Sequence, residues 1–121
     1  HKSRLRSEGE DRFTDLTEGG KSNIYELAKL FIKNKDDSGF MLWALRSVLE
    51  DIIKIDSGAK LDILNADKRG IIEDVSKKVD LKTAAALLKT ALKYEAYFKT
   101  NANYQYLTLC MVQEFWEEIH G

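Results

Sequence analysis

Residues 18–22, EGGKS, come closest in this sequence to a phosphate-binding loop, because glycines ahead of a lysine and a hydroxyl let backbone amides close around phosphate. The full G-x-x-x-x-G-K-[ST] spacing needs glycine at position 15, where Asp15 stands, and no β-run precedes the loop to aim it. Nucleotide binding is not expected. His1 and His120 lie at opposite ends of the chain, too isolated to act as a base, and no Cys/His set has zinc-ligand spacing, so no metal and no cofactor is expected. The adjacent carboxylates Glu50–Asp51 and Glu117–Glu118 project about 100° apart on a helix and read as solvated faces rather than as a converging acid–base pair. Lys82, Lys89 and Lys93 stack along one side of a helix. They read as a solvated stripe, with phosphate contact as the alternative. No catalytic residue emerges, and an enzyme is not expected.

Composition narrows the classes further. At 121 residues and 44% hydrophobic content the chain is long enough for one domain with a real core. A net charge of −1 supplies no large field to steer the whole molecule to nucleic acid or acidic lipid. The single cysteine, Cys110, excludes an internal disulfide and sits in an apolar run, which points to a buried thiol in a reducing compartment, the cytoplasm. No stretch has the roughly 18 apolar residues of a membrane span. The chain opens on His1 rather than methionine and reads as a domain excised from a longer protein.

There is no proline, and apolar residues recur at three and four rather than at two, so the expected fold class is all-α, a single compact bundle of about five helices. Residues 1–21 are polar and glycine-containing and are expected to be an approach segment or linker with one helical turn near Phe13; residues 22–121 form the helical domain. Asn23 with Glu26 suggests a capping box for a first helix carrying Ile24, Leu27, Ala28, Leu30 and Phe31. A second helix is expected from Ser38 to Ile55, with Met41, Leu42, Leu45, Val48, Leu49, Ile52 and Ile53 inward and Arg46, Ser47, Glu50, Asp51 and Lys54 wet. Gly58 ends it. Asn65 or Asp67 then caps a third helix with a narrow stripe of Ile71, Ile72, Val75 and Val79, and Asp80 caps a long fourth.

The segment KTNANYQYL (99–107) interrupts this fourth apolar run without glycine or proline. Asn101 suits the C-terminal cap of the fourth helix, and Asn103 the N-cap of a fifth, Tyr104 to Ile119. Projected on a helix, Leu109, Val112, Trp116 and Ile119 form one face, Tyr104, Leu107, Met111 and Phe115 the next, and Tyr106 and Cys110 a third. A helix apolar nearly all round is either central in the bundle or covered by another chain. Trp43 leaves the second helix beside Arg46, away from the core arc, where it fits a surface cation–π contact or an interface anchor. Trp43, Arg46, Tyr104, Tyr106, Leu109 and Trp116 are the candidate interface residues.

Two runs carry a family likeness. LWALRSVLEDIIKIDSGAKLDILNADKRGIIEDVSKKV (42–79) has a helix ending in L-E-D-I-I, a short glycine-containing turn and L-N-A-D opening the next helix. KTALKYEAYFKTNANYQYLTLCMVQEFW (89–116) passes through N-A-N directly into an apolar last helix. Together they resemble the C-terminal helical domain of bacterial DNA polymerase III clamp-loader subunits, delta prime in particular, over about residues 24–119. The resemblance implies an all-α collar that packs against gamma/tau-like and delta-like sister subunits. It also implies contact with DNA only through the assembled complex, and ATPase modules outside this chain. From a different class, a free-standing adaptor docking a partner helix near Trp43 is the alternative.

Overall fold

The computed structural model describes residues 1–58, 69–100 and 103–121. Among the described residues six α-helices follow one another: α1 (Lys2–Thr17), α2 (Ser22–Lys33), α3 (Ser38–Asp56), α4 (Arg69–Ser76), α5 (Leu81–Thr100) and α6 (Tyr104–His120), with a 3₁₀ turn at Lys35–Asp37 before α3. No strand occurs among the described residues. The molecule is the expected all-α bundle, with one helix more than the sequence reading counted.

That extra helix is α1, where an approach segment with a single turn was expected. Its apolar positions are few, but Leu5, Gly9, Phe13 and Leu16 recur at four, four and three, and all are buried. Glycine in the middle of this stripe hides the periodicity. A methyl group built on Gly9 would meet Met41 Cε at 4.0 Å, so α1 lies close on α3 at that point. Phe13 meets Phe115 of α6 edge to face, with ring centroids 6.1 Å apart.

Because α1 is a helix, its last carbonyls need partners. Asn23 supplies them. Its Nδ2 donates to Gly19 O at 2.6 Å and to Asp15 O at 3.0 Å, so it does not form the expected capping box; it lies inside α2, whose N-cap is Lys21. His120 does the same from the other end of the chain, donating through Nε2 to Leu16 O at 2.8 Å. His1 lies 3.3 Å from Asp37 through its Nε2, so neither histidine is isolated.

α3 is covered on more of its circumference than the sequence suggested. It packs on α1, α4 and most extensively on α5. The expected inward arc is buried, with Ile53 at its margin, but Ser47 and Asp51, expected on the wet face, are buried as well. Helix geometry lets Ser47 satisfy its own hydroxyl on Trp43 O at 2.9 Å, and Asp51 lies 3.9 Å from the Lys54 ammonium. Gly58 closes this helix in the left-handed region at φ 80°, as expected of a C-terminal glycine. The stripe Ile72, Val75 and Val79 of the α4 segment is buried, and Asp80 caps α5 by accepting from Thr83 N at 2.8 Å. Hydrogen bonding from Thr83, its backbone N–H first and its side chain second, holds the Asp80 carboxyl below its ordinary range. The proposed caps Asn65, Asp67 and Asn101 lie outside the described residues.

α6 packs on α1, α2 and α5, and buries Tyr104, Thr108, Met111, Val112 and Phe115. Asn103 starts it as expected, its Oδ1 accepting from Tyr106 N at 3.3 Å. Cys110 is a free thiol, partly rather than fully buried.

Candidate subunit interface

The six candidate residues divide into three settings. Tyr104 belongs to the core: it is 8% exposed and its hydroxyl donates to Phe31 O at 2.9 Å, fastening the start of α6 to the end of α2. Burial pushes its phenol above the ordinary range. It leaves little surface for a partner, because an aromatic with one polar tip is used here to satisfy a helix-end carbonyl.

Trp43 is half-exposed at 44%, and one face of its ring stacks on Phe40 at 5.9 Å. The cation over it is Arg6 of α1, at 5.6 Å, rather than the neighbouring Arg46. Lys2 stands over Phe40 in turn, at 5.1 Å. The aromatic pair is thus bracketed by two cations from the helix that sequence reading missed. Arg46 instead reaches across to α5, where its Nη2 lies 3.1 Å from Glu95 Oε2.

Leu109 and Trp116 meet on the outer side of α6 and form, with Ile24 and Tyr25 of α2, an open groove of about 280 Å³. Lys21, Gln113 and Glu117 stand at its rim. Lys21 Nζ lies 5.5 Å from the Trp116 ring, and the His120 ring lies tilted against the same indole with centroids 4.9 Å apart. The indole Nε1 is buried with no hydrogen-bond partner among the described residues. Tyr25 is a wall of this groove that sequence reading passed over. Its place just off the buried Leu27–Ala28–Phe31 side of α2 was the available signal. Tyr106, 62% exposed, stands on another strip of α6.

The lysines are not equivalent. Lys82 and Lys89 are exposed, whereas Lys93 pairs with Glu114 of α6 at 2.9 Å, which raises the ammonium above its ordinary range. The EGGKS segment is a helix–helix turn. Gly19 and Gly20 take φ 102° and 81°, and a helix rather than a strand precedes them. Among the described residues no three His, Cys, Asp or Glu side chains are grouped to hold a metal ion, and no helix is long and apolar enough to cross a membrane.

An all-α packing domain with an open apolar groove is the class these features define. Its family is explicit in the sequence: residues 3–113 match the family described as DNA polymerase III, delta subunit, C terminal, and the chain belongs to that family of clamp-loader subunits. The matched stretch takes in α1. No curated protein and no solved structure matches the chain significantly.

Proposed function

We propose that this domain is a non-catalytic, collar-type oligomerisation module that packs against gamma/tau-like and delta-like sister subunits of the clamp loader in the cytoplasm. DNA is reached only through the assembled complex. The observation that carries this reading is the α2–α6 groove, where Ile24, Leu109 and Trp116 leave an apolar surface that no other described residue covers. The half-exposed Trp43 with Arg46, and Tyr106, are further contacts of the same kind.

The test is reconstitution with the other loader subunits, read by size exclusion. Co-elution is expected, and Leu109→Glu and Tyr25→Glu should each weaken it at least about tenfold while leaving helicity intact. Full association of both variants removes the groove from the interface; no complex with any loader subunit ends the collar reading.

The narrower assignment to delta prime is also proposed. It rests on the runs 42–79 and 89–116, which resemble that subunit, beside a family match that names delta. Loaders assembled without delta prime or without delta separate the two, since the domain should join only the one whose place is empty.

A further inference from the structure

α5 is apolar on two sides. Inward, Ala84, Leu87, Ala91 and Tyr94 are buried in the core. Outward, Leu81 and Leu92 remain 42% and 47% exposed, Ala85 is exposed, and Leu88 is only partly buried. These four residues are spaced at four, three and four, which are the a and d positions of a heptad: Leu81 and Leu88 at d, Ala85 and Leu92 at a. They lie within about 60° of one another around the helix, a continuous seam rather than scattered surface leucines.

The seam has a charged border. Lys82 and Lys89 occupy successive e positions and are exposed along its length. Past Leu92 the apolar run stops: Glu95, at the next d position, is turned to Arg46 of α3 and is already paired. Self-pairing is opposed in both directions: a parallel second copy sets Lys99 at an a position against its own equivalent, and an antiparallel copy sets Lys82 against Lys89. Like charges at those positions repel, while carboxylates there attract.

We propose that the outer face of α5 receives one helix of a partner protein in coiled-coil fashion, a helix with small aliphatic knobs and a row of carboxylates set opposite Lys82 and Lys89. This seam lies on a different helix from the α2–α6 groove and does not depend on the clamp-loader reading.

The test uses the full chain and three labelled synthetic peptides of about three heptads. One has leucine and alanine at a and d with glutamate at e and g; the second has lysine in place of glutamate; the third is the acidic peptide with its apolar residues out of register. Fluorescence anisotropy at low ionic strength should show the in-register acidic peptide binding at least about tenfold more tightly than either control. Leu92→Glu should lose that binding with an unchanged circular dichroism spectrum, and the double change Lys82→Glu, Lys89→Glu should transfer preference to the lysine peptide. Equal binding of the two acidic peptides, full binding by Leu92→Glu, or no peptide binding at all overturns the proposal. Tighter binding of a single-stranded oligonucleotide, abolished by the lysine changes and indifferent to Leu92→Glu, also overturns it and assigns the lysines to phosphate. None of these outcomes involves a loader subunit, so failure here leaves the collar reading to its own test.

Discussion

The phenol of Tyr104 donates to the carbonyl of Phe31 across 73 residues of sequence, at 2.9 Å, in a site closed to water. One side chain therefore ties the last turn of α2 to the first turn of α6. Tyr104→Phe keeps the ring and strands the carbonyl, so it should lower unfolding free energy by about 1–3 kcal/mol in denaturant titrations. An unchanged midpoint would show that water reaches Phe31 O.

Gly9 and Gly20 should respond in opposite directions. A methyl at Gly9 meets Met41 Cε at ordinary contact distance and removes a glycine from the interior of α1. Gly9→Ala is expected to stabilise by about 0.5–1 kcal/mol. Gly20 holds φ 81°, and Gly20→Ala should cost roughly 1–2 kcal/mol by forcing a side chain into the left-handed region. Thermal melts of the pair check the sign of each.

Glu118 gives a pH prediction. Burial pushes its carboxyl above the ordinary range, against the opposing hydrogen bond from Thr90. The folded state therefore binds this proton more tightly than the unfolded chain does. The penalty is fully present above the folded pKa and disappears as pH falls through it toward the unfolded value. Glu118→Gln should be more stable than the parent at pH 7, with the advantage shrinking on acidification. A gap between the two that stays constant with pH contradicts the assignment.

Trp43→Ala tests whether the bracketed aromatic pair serves stability or contact. Its loss removes one stacking and one cation–π interaction at a half-exposed site, a cost of about 1–2 kcal/mol, with helicity unchanged. Association with partner subunits should weaken by more than this loss of stability explains. A drop of several kcal/mol would place Trp43 in the core instead.

The helices with dense apolar repeats were legible: α3 begins at Ser38 as its sequence indicates, and Asp80 and Asn103 cap α5 and α6 as their positions suggest. Polar side chains with a backbone partner in reach announce caps locally. What was hidden depended on tertiary partners. Burial of Ser47 and Asp51 follows from the elements packed around α3, among them α1, α4 and α5, which no single-helix projection contains. Asn23 changed role because α1 brought carbonyls to it, and Arg6 took the place over Trp43 that Arg46 was expected to fill. Of the groove's lining, Leu109 and Trp116 stand out in a helical projection and Tyr25 does not, while the burial of Tyr104 escapes the sequence because an aromatic at a helix start carries no mark separating core from surface.

The hydrogen bond from His120 to Leu16 spans 104 residues, and Phe115 seals Phe13 from nearly as far away. At roughly 5–20 residues per second, a ribosome delivers α6 about 5–20 s after α1 has emerged. Through that interval the stripe of α1 lacks the cover of the last helix. The scarcity of apolar residues that disguised α1 as a linker also leaves little on it for stray chains to grasp while it waits.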